Sequence, residues 1–385
     1  MKNRFADWHD EIAAWRRDLH AHPELQYETH RTAGIVAGKL REFGCDEVVE
    51  GIGRTGVVGL IHGRGGGARV VGLRADMDAL PIEEATGAPW ASTVPGAMHA
   101  CGHDGHTAML LGAARYLAET RNFAGTVAVI FQPAEEGGAG GQAMVDDGLM
   151  ERFAIAEVYG LHNWPGRPEG SFAIRSGPFF ASTDQVDITV EGRGGHAARP
   201  QDSVDPAVVA AQIILAAQTI VSRSTDPVDQ LVVSITSVRT ASDAYNVIAP
   251  RAELKGTIRA LDEDVRQMAR ERLRMLAEHT ARAHGAEAAV TLTPGYPVMV
   301  NAEAGTAHAA AAATQVAGDC AEAPLVLGAE DFAFMLNARP GAYILLGNGE
   351  TAMVHQPGYD FNDAVIPAGC AWWAALAEAR LPLAG

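Results

Sequence analysis

The 385-residue sequence predicts an α/β fold: a mixed, mostly parallel sheet with helices on both faces, interrupted by a smaller inserted α+β domain. Three observations carry that expectation. The chain is longer than one hydrophobic core usually supports, and its 48% hydrophobic residues are enough to fill two. Short runs rich in valine and isoleucine alternate with longer segments of helical period, the pattern of strands buried between helices. From about Ser182 the pattern changes to alternating strands and long helices, and from about residue 292 it returns to the earlier style.

Taken in order, the first domain is expected to comprise residues 1–181 and 292–385. Its strands are read from "RVVGLRADMD", "TVAVIFQPAEE", "EVYGLHNWP" and "AYILLGNGE". In the first three, polar residues arrive as the apolar run ends, which puts them on the sheet edge where open α/β sheets bind ligands. "HTAMLLGAARYLAET", residues 106–120, has apolar residues at helical spacing. It places the histidine-rich "AMHACGHDGH", residues 97–106, in the loop leading into a helix, where anionic groups and thiolate are favoured.

The inserted domain, 182–291, is expected to be a four-stranded sheet with two helices. "DQVDITVEGRG", "DQLVVSITSVRT" and "RAELKGTIRAL" read as strands, and "DEDVRQMARERLRMLAEHTARAH" as a charged helix. The helix from about Pro206 to Val221 is apolar nearly all round, which points to burial on two sides, the second at a subunit interface. The chain has no internal repeat, and no low-complexity tract beyond Gly63–Gly67.

Charge and cysteine usage exclude whole classes of partner. A formal charge of −17 repels phosphate backbones and anionic lipid, so no nucleic acid and no membrane partner is expected. Cys45, Cys101, Cys320 and Cys370 are far apart and have no paired CxxC spacing, which argues against a disulfide framework or zinc ribbon and for a reducing cytoplasm. The N-terminal segment mixes charged with apolar residues and no later stretch reaches membrane-spanning length, so the protein reads as soluble and unexported.

Cys101 and His103 are two residues apart, and thiolate with imidazole suits Zn²⁺ or another first-row metal. Alone, the motif admits either a metal site or a structural polar loop. The other strand ends shift the balance. "PAEEGG" offers Glu135 and Glu136, "GLHNW" His162, "MVHQPGYDFND" His355, and "RADMDAL" Asp76 and Asp78. Each reads singly as an exposed turn or a solvated strand end; together on one sheet edge they point to metal.

The motifs "HAHPEL", "LRADMDALP", "HACGHDGH", "FQPAEEGGAGG", "GLHNWP", "EGRGGHAARP", "GAEDFAFM" and "HQPGYDFND" occur in an order that resembles the M20 metallopeptidases. More narrowly, they resemble the amidohydrolase branch of hippurate hydrolases, aminoacylases and auxin-conjugate hydrolases. The resemblance implies a zinc-exopeptidase-like catalytic domain with an inserted lid and two metal ions per subunit. It makes Cys101 the bridging ligand, with Glu136 and His355 completing one metal site and His103 and His162 the other, and Glu135 the general base. The wider family has a histidine where Asp76 stands and an aspartate where Cys101 stands, so Asp76 is not assigned as a ligand. Asp78 is expected to orient a ligand imidazole. His99 and His106 are expected to be hydrogen-bonded loop histidines, and His20 and His22 structural. In the lid, "GRGGHAARP" lacks the Lys-Ser/Thr ending of a phosphate loop; the resemblance makes His196 an oxyanion stabiliser. Asn246 and Arg259 stand where the family binds the substrate carboxylate, although Arg259 reads equally as a surface strand residue in a salt bridge.

The expected activity is metal-dependent hydrolysis of the amide of an N-acyl amino acid, the acyl group being acetyl, benzoyl or a larger aromatic acid. The alternatives are a dipeptidase or carboxypeptidase of the same family, or a non-catalytic binding protein on the same fold. Mixed S/N/O ligands suit zinc, manganese, cobalt and nickel alike. The resemblance also implies a homodimer or higher homo-oligomer.

Overall fold

The computed structural model describes residues 2–383. They form two compact units. The first takes the chain up to Gly177, Val300–Pro324 and Asp331 onward; the second is Pro178–Met299 with Leu325–Glu330. The return to the first unit falls later than the expected 291/292 boundary. The reason is strand pairing: Glu287–Pro294 pairs with Ser182–Glu191 through to Pro294 opposite Asp184, so residues 292–294 still belong to the inserted sheet. The first crossing, at 177/178, falls slightly earlier than the expected 181/182.

The first unit is built on an eight-stranded sheet in the order Glu47–Ile52, Gly56–His62, Thr126–Gln132, Val70–Asp76, Ile155–Trp164, Gly341–Gly347, Phe172–Ile174 and Ala321–Glu322. Its four central strands are parallel, and an antiparallel hairpin closes one edge, the mixed, mostly parallel α/β sheet that the sequence predicts. Every residue of Val70–Asp76, Thr126–Gln132 and Gly341–Gly347 is buried, as continuous apolar strands covered on both faces must be. The helices His103–Thr120 and Ile366–Arg380 carry the centre of this core, including the fully buried Trp372 and Trp373. Because the central strands are parallel, their C-terminal ends fall on one edge, and this brings the polar strand-end residues together.

The second unit is an antiparallel sheet in the order Leu231–Thr240, Arg251–Ala260, Ser182–Glu191, Glu287–Pro294. Buried and more exposed residues alternate along Ser182–Glu191, as in a strand with one face on the core. The helices Pro206–Thr219 and Glu263–Ala283 cover it, capped by Asp205, which accepts from the Ala207 amide, and Asp262, which accepts from that of Val265.

One expectation for the apolar helix, that no stretch reaches membrane-spanning length, is corrected. The helix continues through a π-turn, Ile220–Ser224, so that Pro206–Ser224 is long and apolar enough to cross a membrane by length and composition alone. Within the chain it is buried on one side only. Val209, Ala210, Ile213, Ala217 and Ile220 enter the core of the unit, whereas Val208 and Leu215 are 51% and 65% exposed.

Candidate metal centre

The histidine-rich motif folds differently from its expected loop. The helix begins at His103, so His103, Asp104 and His106 stand on its first turns. Gly102 makes this possible: its φ is +92°, and a Cβ there would lie 2.3 Å from Asn163 Nδ2 and 2.5 Å from Tyr359 Oη. Two non-glycine residues of the site are also left-handed, Ala134 at φ 55° just before Glu135, and His355 at φ 65°. Such backbone costs roughly 1–3 kcal/mol and persists only where the surroundings enforce it, commonly at functional sites.

Cys101, His103 and His162 form one group whose ligand atoms all lie within 4.8 Å of one another, and Cys101, Glu136 and His355 form a second. Cys101 belongs to both. Its Sγ is 3.3 Å from His162 Nε2, and Glu136 Oε1 is 3.2 Å from His355 Nε2. Neither ring nitrogen of His103 makes a hydrogen bond among the described residues, although both are buried. Buried ring nitrogens without a hydrogen bond are costly unless something unseen satisfies them.

Hydrogen-bond partners fix the imidazole tautomers. His162 Nδ1 lies 2.5 Å from the Asn163 carbonyl, which can only accept, so Nδ1 carries the proton and the Nε2 lone pair faces Cys101. Burial, reinforced by His106, pushes the His162 pKa well below its ordinary value and keeps the ring in its neutral, ligating form. The neighbouring carboxylates act oppositely on His103. Burial lowers its pKa, but Asp76, Asp78 and Glu136 outweigh burial and raise it to about 10. Burial together with Glu136, Glu135 and Asp76 drives the Cys101 thiol well above its usual range. A thiol, three imidazoles and several carboxylates therefore converge in a field that calls for positive charge, and divalent cations meet that demand.

A ring of residues around the ligands sets their positions. Asp78 approaches His103 Nδ1 at 3.5 Å and also accepts from the backbone amides of Glu135 at 2.9 Å and Glu136 at 3.0 Å, so one carboxylate pins both ends of the turn that carries the glutamates. Asp76 already has two ion-pair partners. It pairs with Arg74 at 2.8 Å and His106 at 2.7 Å, and against its burial His103, Arg74 and His106 hold its carboxyl well below the usual range. Arg74 in turn bonds Asp331 and Gln132, and the Asp331 amide reaches Glu135 Oε1 at 3.5 Å. Asn163 was missed from sequence although it follows His162 directly. Fully buried, it donates to the Cys101 carbonyl at 2.6 Å, accepts from Tyr359, and directs its amide at His106 Nε2.

The histidines outside the ligand set divide three ways. His106 is hydrogen-bonded through both ring nitrogens, but from the helix and not from a loop. His99 does lie in the loop, yet neither of its nitrogens is hydrogen-bonded among the described residues, and burial pushes its pKa down to about 3, so the expectation of a hydrogen-bonded histidine is corrected. His22 is half-exposed, with Nδ1 2.8 Å from the Asp18 carbonyl.

His20 is buried against Asp104 at 2.8 Å, with Glu84 at 3.4 Å. Burial depresses its pKa, but Asp104 more than offsets this and raises it to about 9. A raised folded-state value means that the stabilisation is complete below the unfolded value of about 6.5 and is lost as pH climbs through 9. At 1.36 kcal/mol per pH unit the contribution is about 3 kcal/mol. In urea unfolding the wild type is expected to lose about that much more stability between pH 6.5 and 9.5 than His20→Gln does; equal pH slopes would refute the assignment.

In the second unit, His196 and Val247 pair in a short two-stranded ladder, and the Asn246 carbonyl accepts from the Ala197 amide, so Asn246 and His196 lie close together. Both are exposed. Arg259 donates to the Leu327 carbonyl at 3.1 Å and makes no ion pair among the described residues, so the salt-bridge alternative does not hold.

Comparison with known proteins gives the family. Residues 72–379 match the family model described as Peptidase family M20/M25/M40. The chain is 40% identical to the hippurate hydrolase of Campylobacter jejuni, over 96% of this chain and 97% of that one. It is 37% identical to an N-acetylcysteine deacetylase of Bacillus subtilis over the same shares. It is 41% identical to thermostable carboxypeptidase 2 of Saccharolobus solfataricus over 90% of this chain and 88% of that one. Among solved structures, a dinuclear metal-binding peptidase of the M20 family from Bacillus subtilis superposes with a TM-score of 0.87 at 34% identity, covering 98% of this chain and 100% of that one.

Proposed function

We propose that this chain, which belongs to the M20/M25/M40 peptidase family, hydrolyses the amide bond of N-acyl amino acids to a carboxylic acid and a free amino acid. The observation that carries this reading is the Cys101 thiol common to two ligand groups, with Glu135 beside them and outside the Cys101 sets. Cys101, His103 and His162 would hold one divalent ion and Cys101, Glu136 and His355 the other; zinc, manganese, cobalt and nickel all suit such a donor set. Bound there, the ions supply Lewis acidity to the amide carbonyl and the attacking water. Glu135 accepts the water's proton and delivers it to the leaving nitrogen. Asp78 holds Glu135 and Glu136 in register for these separate tasks. His196 stabilises the oxyanion of the tetrahedral intermediate, and Asn246 and Arg259 receive the substrate carboxylate.

The chain works as a homodimer, and His196 serves the partner's site. The uncovered apolar face of Pro206–Thr219, with Val208 and Leu215 outward, supports an interface between copies. The four unpaired cysteines fit a reducing cytoplasm.

A metal-reconstituted assay against N-acetyl, N-benzoyl and indole-acyl amino acids together with dipeptides tests the activity. Cleavage of dipeptides alone would transfer the assignment to a peptidase, the reading favoured by the carboxypeptidase relative. Cys101→Ser tests the centre: dialysed protein is expected to lose metal by elemental analysis, since a hydroxyl is a poor substitute for a thiolate. Full metal content with full activity would exclude Cys101 as a ligand.

A further inference from the structure

The "GAEDFAFM" motif has no place in the proposed ligand set, yet its Asp331 is fully buried and fastened to both ends of the turn that carries the glutamates. Gln132, the last residue of the strand Thr126–Gln132, donates from Nε2 to both Asp331 carboxylate oxygens at 2.8 Å. The amide of Gly141, in the helix Gly140–Asp146 that follows the turn, donates to Oδ2 at 2.7 Å. The Arg74 guanidinium pairs with Oδ1 at 2.9 Å. Between those two ends the chain passes through three left-handed residues, Ala134 at φ 55°, Gly137 at φ 82° and Ala139 at φ 55°. Two of them carry a Cβ, and backbone of that kind keeps its shape only where its surroundings impose it.

Arg74, Gln132 and Gly141 all donate, so the position calls for an acceptor at both oxygens. Gln132 cannot turn its amide round to suit a different neighbour, because its Oε1 accepts from Arg74 Nε at 2.8 Å. Gly141 sets how closely the two segments approach: a Cβ there would lie 2.8 Å from the Asp331 carbonyl oxygen and 3.2 Å from its Cγ. Asp331 also reaches the glutamate itself, its amide lying 3.5 Å from Glu135 Oε1. One residue thus holds the ends of the turn with its carboxylate and an oxygen of Glu135 with its backbone, while Asp78 holds the middle of the turn through the Glu135 and Glu136 amides.

With Glu135 as the general base of the proposed function, on which this rests, we infer that Asp331 is a positioning residue: it aims the carboxylate that moves the proton, and so governs turnover and not metal retention. Displacing a catalytic group by about 1 Å can cost about 10²-fold in rate. Asp331→Asn is nearly isosteric, but it turns one acceptor into a donor that faces donors, which frees one end of the turn.

A double-mutant cycle tests this. Turnover, KM and metal content are measured for wild type, Asp331→Asn, Glu135→Gln and the double variant, on whichever N-acyl amino acid or dipeptide the wild type cleaves. Asp331→Asn is expected to lose about 10- to 100-fold in kcat, with its metal kept and KM little changed. Against Glu135→Gln, whose proton acceptor is already gone, the same substitution should cost less than about twofold further. A merely structural role would lower both backgrounds by the same factor. Gly141→Ala, which pushes Asp331 off the turn without altering a charge, is expected to repeat the pattern, and it stands as the deciding variant should Asp331→Asn fail to fold. Equal losses in both backgrounds, metal lost in step with turnover, or kcat within about twofold of wild type in both variants would each overturn the positioning role and leave the proposed function standing. Wild type inactive on every substrate, or Glu135→Gln as active as wild type, would overturn the proposed function and the positioning role with it.

Discussion

Glu135→Gln is expected to keep its metal and still bind substrate while turnover falls roughly 10²- to 10⁴-fold, the range for removing a general base. Glutamine preserves the size of the side chain and can still accept a hydrogen bond from the Asp331 amide, so the surroundings are little disturbed. It cannot take up a proton. Glu136→Gln is the counterpart: its oxygen stands with Cys101 and His355 in one ligand group, and losing the carboxylate charge there should release metal. Metal analysis and turnover on both variants decide the matter. Exchanged phenotypes would reverse the two roles, and a fully active Glu135→Gln would refute the mechanism.

His196→Ala is expected to lose about 10²- to 10³-fold in turnover, the usual effect of removing one oxyanion donor. The sharper result comes from unfolding and refolding it together with Glu135→Gln. In a mixed dimer with shared sites, one site joins the intact Glu135 of one chain to the intact His196 of the other, and the opposite site carries both lesions. Random pairing makes about half the dimers mixed, each with one good site of two, so activity should recover to about a quarter of wild type. A His196 acting in its own chain leaves a lesion in every site, and mixing then restores nothing. Mixed dimers confirmed by mass but inactive would exclude the shared site.

The candidate ligand set was legible because ligands need particular atoms, and those residue types stand at the ends of recognisable apolar runs or in the short motif before a helix. Cys101, His103, Glu136, His162 and His355 come together in the structure for that reason. Asn163 and Tyr359 sat unnoticed within quoted motifs because their part depends on a three-dimensional coincidence, the close passage of three segments around Gly102, that no periodicity reports. Asp78 was read only for its imidazole, since backbone amides such as those of Glu135 and Glu136 leave no mark in side-chain spacing. His99 shows the converse error: polarity suggested hydrogen bonding, but burial, with His20, His103 and Arg16 nearby, left it neutral and without a hydrogen bond among the described residues. The late boundary near residue 300 was hidden because Glu287–Pro294 was not identified as a strand.

The strand order also dictates when the protein can fold during synthesis. Ile155–Trp164, which carries His162, pairs on one side with Gly341–Gly347, and His355 follows that strand. Until Gly341–Gly347 has been made, a central strand of the first sheet is an open edge, able to template pairing with another chain. The inserted unit closes its own four-stranded sheet from nearly contiguous sequence, so it can mature on the ribosome while the first unit waits. Chains truncated before residue 341 are expected to aggregate, however well their inserted unit is formed.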